Sequence, residues 1–256
     1  MTTGIDIYDR PMTLSEKVKA KAILFSDFDG TITLQDSNDH MTHELGFGKA
    51  KRLEVNNKIL AGDINFREGF REMLDSIHAP FDECVQFLLD TIELDSGFIE
   101  THRWCTENNI PVVVVSSGMK PIILALLKKL VGEKECQNIE IIANDVKIND
   151  DGTWDIVYRH EDSGFGHDKS RSLKPYSSLP KGERPILFYC GDGVSDLSAA
   201  RETDLLFAKR GKDLIKFCER ENIKYTQFDS FKDILNGVKA IVSGEKNIKD
   251  FVENKN

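Results

Sequence analysis

The sequence predicts an α/β fold: a Rossmann-like parallel sheet with helices on both faces, interrupted by a small inserted α-helical cap. Three observations predict it. Apolar runs without polar interruption, above all Ala22-Ile23-Leu24-Phe25 and Val112-Val113-Val114-Val115, read as strands buried on both faces. From about residue 95 onward such runs alternate with helical patterns, the mark of βαβ units. Residues 36–92, by contrast, hold almost no β-branched runs and read as several amphipathic helices in a row.

Along the chain, residues 1–19 are mixed and polar, which predicts a loosely held N-terminal arm. The first strand, 22–26, ends at Asp27. The helical insertion is broken at Gly46-Phe47-Gly48, Gly62-Asp63 and Ala79-Pro80, where glycine and proline interrupt helices. A helix over 98–108 stops at Asn109, and the four valines 112–115 follow as a strand. The helix 121–130 carries Pro121 near its first turn and Gly132 just past its end. Residues 139–142 form another strand, while 146–148 and 154–158 flank Asn149-Asp150-Asp151-Gly152 as a hairpin. A strand over 185–190 runs into Gly191-Asp192-Gly193. Then come a helix over 195–201, a strand over 204–208 and helices near 211–221, 231–242 and 247–254. The division expected is a core of 20–35 plus 93–256, with 36–92 inserted as the cap.

Composition narrows the functions open to such a chain. Its 256 residues are 40% hydrophobic and 30% charged, an ordinary globular balance. A chain of this length buries roughly 70–75% of its unfolded surface and needs no staples to fold. With 34 Lys and Arg against 43 Asp and Glu, the net charge of −9 disfavours nucleic-acid and membrane-surface binding. No apolar stretch approaches the roughly 20 residues of a membrane span. The five cysteines, Cys84, Cys105, Cys136, Cys190 and Cys218, show no CxxC or zinc spacing, so reduced thiols in the cytoplasm are expected. The opening residues carry no basic and apolar leader. The expected protein is cytoplasmic, without excluding the nucleus, and monomeric.

In parallel sheets ligands bind beyond the strands' C-terminal ends. Three polar clusters sit there: Asp27-Phe28-Asp29-Gly30-Thr31, Ser116-Ser117-Gly118 and Gly191-Asp192-Gly193-Val194-Ser195-Asp196, with Lys169 in a polar loop between the last two. Carboxylates gathered at neighbouring strand ends make a hard oxygen site suited to Mg²⁺. A serine hydroxyl, backbone N–H groups and a lysine supply what phosphate oxygens need. Two aspartates two residues apart can divide nucleophilic and acid/base work. Taken singly, each cluster has a plain alternative: a strand-end pair, a tight turn or a solvated lysine. Their order, each after a strand, favours Mg²⁺-bound phosphoryl transfer.

These four segments resemble the ordered motifs of the haloacid dehalogenase superfamily, in its phosphoserine-phosphatase-like branch with a helical cap. The likeness covers about residues 20–242. Asp27 and Ser116 are 89 residues apart, room for a cap after the first motif. The stretches 32–39, 116–121, 165–171 and 190–200 are similar to fungal sugar-alcohol (polyol) phosphatases. The resemblance implies Asp27 as nucleophile and metal ligand, and Asp29 as acid/base with its carbonyl on the metal. It implies Asp192 as the other metal carboxylate and Asp196 as the partner of metal waters or of Lys169. It implies Ser116 and Lys169 as phosphate clamps, with Lys169 also neutralising the acidic motifs, and Ser117 and Gly118 are expected to offer the phosphate backbone N–H groups.

The chain departs from phosphoserine phosphatases where those bind the substrate amine and carboxylate. Asp36 stands at the family's glutamate. Met73 stands seven residues after Phe66, where the family has an arginine. Asp36, Ser37, Asn38, Asp39 and His43, with Arg67 and Arg71, suit a hydroxyl-rich or cationic substrate better, though Asp36–Asp39 also read as a helix N-terminus and Phe66 and Met73 as cap core. Tentative substrate residues are therefore Asp36, Asn38, Phe66, Arg71 and Met73. The expected activity is Mg²⁺-dependent hydrolysis of small phosphate monoesters, sugar-alcohol phosphates foremost. Pyridoxal phosphate, phosphocholine or phosphoethanolamine, a methionine-salvage phosphopentane and phosphoserine are the alternatives. A phosphomutase or a non-catalytic binding protein ranks below them.

Overall fold

In the computed structural model, which describes residues 10–252, the strands are β1 (Ala22–Ser26), β2 (Val112–Met119), β3 (Glu140–Ile148), β4 (Trp154–Val157), β5 (Ile186–Gly191), β6 (Leu205–Lys209) and β7 (Thr226–Phe228). They form one sheet in the order β4-β3-β2-β1-β5-β6-β7. β4 runs antiparallel to β3, and the other pairings are parallel. From β1 the chain builds outward on one side through β2 and β3, then crosses to build the other side through β5, β6 and β7. The C-terminal end of β1 is thus the switch point, where connections part and leave a crevice.

The helices are α1 (Leu14–Val18), α2 (Ser37–Glu44), α3 (Lys49–Ala61), α4 (Phe66–Leu74), α5 (Phe81–Thr91), α6 (Phe98–Glu107), α7 (Lys120–Leu130), α8 (Glu133–Cys136), α9 (Ser170–Ser177), α10 (Leu197–Ala200), α11 (Asp213–Arg220) and α12 (Phe231–Val242). Side-chain alternation along the strands sorts them into two layers. Leu24, Val114 and Phe188 pack with Phe98 of α6, Ile122 and Leu126 of α7 and Ile234 and Val238 of α12. Phe25, Val115 and Tyr189 face the other way, against Leu173 of α9, Ala199 of α10 and Leu214 of α11. Every side chain of β1 is buried, each large apolar one worth about 1.5–3 kcal/mol relative to exposure. None of the helices among the described residues is long and apolar enough to cross a membrane.

Helices α2–α5 leave and rejoin the sheet layer through a narrow neck. Thr33 and Leu94 form an isolated antiparallel bridge. Leu34 N donates to Glu93 O at 2.9 Å and Asp95 N to Ile32 O at 2.9 Å. Local chemistry sets the helix ends. Asp36 Oδ1 accepts from Asn38 N and Asp39 N at the start of α2. Asn65 and Glu68 form a capping box on α4. Gly62, at φ +83°, closes α3 in the left-handed region where a Cβ is strained. A second tie comes from the β3–β4 hairpin: Trp154 Nε1 donates to Ala79 O at 3.1 Å, and its ring meets Phe81 edge-on.

Several elements differ from the sequence reading. The N-terminal arm is anchored from Thr13 onward: a Thr13/Glu16 capping box starts α1, and Lys17 buries its stem and pairs with Glu140. The part of that arm over residues 1–9 lies outside the described residues. The expected strands 139–142 and 146–148 are one, β3, which changes partner along its length from β2 to β4. The serine-rich motif is strand: β2 runs on through Met119, with an irregularity between Val115 and Met119. The loop carrying Lys169 turns directly into α9, despite Pro175 within that helix. In place of a helix over 247–254 stands a 3-10 turn, Ile248–Asp250, and residues 253–256 lie outside the described residues.

Candidate active site

The crevice at the end of β1 holds the predicted polar clusters together. Asp27 follows β1 directly, and its N–H donates to Cys190 O at 2.8 Å, fixing it beside β5. Its Oδ1 accepts from Phe28 N at 2.8 Å and lies 2.8 Å from Lys169 Nζ. Oδ2 accepts no hydrogen bond from the described residues. Burial, and then the Asp196 carboxylate, push Asp27 up to about 7, while Lys169 pulls the other way.

Asp29 is 5% exposed, yet it makes no ion pair among the described residues. Ser37 N donates to its Oδ1 at 2.8 Å and Asn38 Nδ2 to its Oδ2 at 3.1 Å. Burial first, and the Asp36 charge second, raise this carboxyl well above the ordinary range. Gly118 makes the approach possible: a Cβ there would lie 2.8 Å from Asp29 Oδ2 and 3.2 Å from Ser116 Oγ.

Asp196 organises the acidic end. Its Oδ1 accepts from Lys169 Nζ at 2.6 Å and from Tyr189 Oη at 2.6 Å. Its Oδ2 accepts from Asp192 N at 2.9 Å and Gly193 N at 3.0 Å. Lys169 is fully buried; burial alone would lower its pKa, but Asp196 and Asp27 outweigh that and raise it.

Carboxylate oxygens of Asp27, Asp192 and Asp196 come within 4.8 Å of one another. Asp196 is already saturated by four donors, so Asp27 and Asp192 are the pair with free oxygens. The cation paired with Asp192 among the described residues is Lys212, with Nζ at 3.6 Å. Burial and the neighbouring Asp27 hold Asp192 well above the usual carboxylate range. Gly30, at φ +70°, opens the space around it, since a Cβ there would meet Asp192 Oδ2 at 2.4 Å. Buried, mutually repelling oxygens with room left beside them fit a small divalent cation.

The phosphate-binding candidates lie opposite. Ser116 Oγ accepts from Gly118 N at 2.9 Å, so the Gly118 N–H is engaged and leaves the hydroxyl proton free to point outward. Ser117 Oγ is buried and unpartnered among the described residues. His167 Nδ1 donates to Ser116 O at 2.6 Å, and Asn144 Nδ2 donates to Ser117 O at 2.7 Å. His167, two residues before Lys169, and Asn144, which the sequence did not flag, thus fix the strand end.

A cavity of about 340 Å³ joins these groups to helices α2–α4. Of the tentative substrate residues, Asp36, Asn38, Phe66 and Met73 line it. Arg71 does not: it sits over the Tyr158 ring, 3.6 Å from Asp75 and 3.5 Å from Asp155. Arg67 likewise faces Tyr158 and Glu161, and His43 lies outside the lining. In their place come Asp39, Arg52, Asn56 and Phe70, with Lys212 from the sheet layer. Arg52 gave no sequence signal, because its meaning comes from α3 crossing α2.

An α/β layer that gathers a buried lysine between two aspartates, a second buried carboxyl and a serine-lined strand end in one crevice has the groups that phosphoryl chemistry needs. The model of haloacid dehalogenase-like hydrolases matches residues 24–201, and the chain belongs to that family. It is 55% identical over 240 residues to polyol phosphate phosphatase PYP1 of Saccharomyces cerevisiae, covering 91% of this chain and 99% of that one. It is 51% identical over 216 residues to Pdp3-interacting factor 1 of Schizosaccharomyces pombe, covering 84% and 94%. Among solved structures it is similar to a phospho-aspartyl intermediate analogue of phosphoserine phosphatase, with a TM-score of 0.62 and 19% identity over 85% of this chain and 99% of that one.

Proposed function

We propose that the protein is a Mg²⁺-dependent phosphatase for small phosphate monoesters of neutral, hydroxyl-rich alcohols, polyol phosphates foremost, working through an aspartyl phosphate on Asp27. The unequal setting of two carboxylates two residues apart carries this reading. Asp27 is clamped by Lys169 with one oxygen free, and Asp29 is buried among donors that leave it prone to protonation. Asp27 Oδ2 attacks phosphorus, and the ester P–O bond breaks as Asp29 gives its proton to the leaving alkoxide. Asp29, now a carboxylate, takes a proton from water. The water oxygen bonds to phosphorus, and the P–O bond to Asp27 breaks to release inorganic phosphate.

Ser116 and Ser117 orient the phosphoryl oxygens, with Lys169 countering the Asp27 charge that returns as the aspartyl phosphate breaks. Asp27 and Asp192 would hold Mg²⁺, with Asp196 behind them; the ion offsets phosphoryl charge when bound. Helices within 36–92 serve as the cap that excludes bulk water and selects the alcohol.

The polyol preference rests on the 55% identical relative named for that substrate class and on a lining rich in side chains that bind hydroxyls. A single chain supplies every group named, so no partner subunit is needed. Five free, buried cysteines suit a reducing cytoplasm.

Phosphate release tests the proposal, measured with Mg²⁺ and with EDTA on sorbitol, ribitol, glycerol, serine, choline and pyridoxal phosphates. The expected result is metal-dependent release that favours the linear polyols and is lost in Asp27→Asn. Turnover retained by Asp27→Asn overturns the nucleophile. Preference for another ester overturns the substrate class alone.

A further inference from the structure

Two cap residues that face each other in the cavity wall have a use beyond holding α2 to α3. Arg52 Nη1 lies 2.8 Å from Asp39 Oδ2, and both side chains line the cavity. The Arg52 side chain is 13% exposed, and its Nε is buried without a partner among the described residues. Arg52 is the one cation that the helices α2–α5 contribute to the lining, where Asp36 and Asp39 stand beside it.

We propose that Asp39 masks Arg52, and that this pair makes the cavity accept a hydroxyl-bearing tail and turn away a carboxylate-bearing one. The inference rests on the phosphatase reading above and names its selectivity device. A hydroxyl both donates and accepts, so it can donate to Asp39 while accepting from a guanidinium N–H that the ion pair leaves free. A carboxylate only accepts: it meets the Asp39 charge first, and one arm of the guanidinium that would grip it, Nη1, is already engaged. Lys212, the other cation in the lining, lies 3.6 Å from Asp192, and its charge reaches Asp39 more weakly than that of Arg52. Removing the Asp39 charge frees the fork while leaving a side chain of the same size.

The test is the ratio of kcat/KM for phosphoserine to kcat/KM for glycerol phosphate, in wild type, Asp39→Asn, Arg52→Leu and the double variant, all with Mg²⁺. A ratio cancels any general loss of turnover. Asp39→Asn is expected to raise it by about tenfold or more, the scale of one charge-assisted hydrogen bond. Adding Arg52→Leu should abolish the gain. Arg52→Leu alone should raise KM for glycerol phosphate more than it lowers kcat. An unchanged ratio in Asp39→Asn overturns the proposal, as does a gain that survives Arg52→Leu. Should Asp39→Asn fail to fold, an unchanged KM in Arg52→Leu overturns it instead. Wild-type turnover of p-nitrophenyl phosphate, whose tail bears neither hydroxyl nor carboxylate, separates the readings. Its absence sinks the phosphatase reading itself. Its presence alongside a wild-type preference for phosphoserine sinks the mask and the polyol preference and leaves the phosphatase chemistry standing.

Discussion

Lys169 Nζ sits 2.8 Å from Asp27 Oδ1, with none of the lysine side chain and 7% of the aspartate side chain exposed. The same ammonium reaches Asp196 at 2.6 Å, so one buried cation answers two buried anions. Breaking such a pair from one side leaves uncompensated charge, at a cost of about 3–5 kcal/mol. Lys169→Met should therefore lower Tm by roughly ten degrees and abolish phosphate release. Adding Asp27→Asn to Lys169→Met should restore part of the Tm, because one of the stranded charges is gone. Calorimetry on the two variants decides it; a further drop in the double variant would contradict the pairing as the source of the loss.

Asp29 makes a prediction that depends on the leaving group. An alkoxide needs a proton as its bond to phosphorus breaks, and p-nitrophenolate does not. Asp29→Asn keeps the acceptor for Ser37 N but has no acidic proton to give. Its kcat on glycerol phosphate should fall by about 10²–10⁴, the usual worth of a general acid. Its loss on p-nitrophenyl phosphate should be much smaller. Equal losses on both would mean that Asp29 holds the site's shape rather than supplying the proton.

Much of this site was legible in the sequence because its residues follow strands. An apolar run such as Ala22–Ser26 announces its own burial, and a parallel sheet places whatever comes next at the same edge. Asp27, Asp29, Asp192 and Asp196 are of this kind, and Ser116 stands within the last residues of β2 at the same edge. Residues whose role depends on how helices cross were not legible. Arg71 looked like a substrate residue on its helix, yet α4 turns it toward Tyr158 and Asp155. Arg52 carried no signal in the sequence, yet it meets Asp39. The strand β3 was split in two because its polar residues, Asn144 and Asp145, break the apolar pattern. The backbone nevertheless runs on, since Asn144 is buried and bonded to Ser117 O.

Gly118 separates packing from chemistry. The three atoms nearest to an added Cβ are all site atoms: Asp29 Oδ2 at 2.8 Å, Ser116 Oγ at 3.2 Å and Asn38 Nδ2 at 3.4 Å. Gly118→Ala should push the Asp29 carboxyl off its Asn38 partner while leaving the apolar layers untouched. Tm should move by only a few degrees, while kcat falls by about a hundredfold, as for a misplaced reacting group. A large fall in Tm with kcat preserved in the folded fraction would place the strain elsewhere.

His167 carries a pH signature that the carboxylates do not share. Burial pushes this imidazole down to about 3, with its bond to Ser116 O pulling the other way. The unfolded chain binds the proton near pH 6.5, so between about 6.5 and 3 the unfolded state holds one proton more than the native state. A base with a depressed native pKa contributes stability that is fully present above the unfolded value and is lost as pH falls below it. The slope is at most about 1.4 kcal/mol per pH unit for one proton. Asp27 has the opposite sign: a native pKa of about 7, above its unfolded value, makes its contribution grow as pH falls. That contribution is common to wild type and His167→Asn, so the difference between them isolates His167. Asn can keep a donor toward Ser116 O and does not titrate. Denaturant melts at about pH 7.5 and about pH 5 should show wild type losing stability relative to His167→Asn on acidification. Parallel losses in the two proteins would mean that His167 takes up its proton in the native state as readily as in the unfolded one.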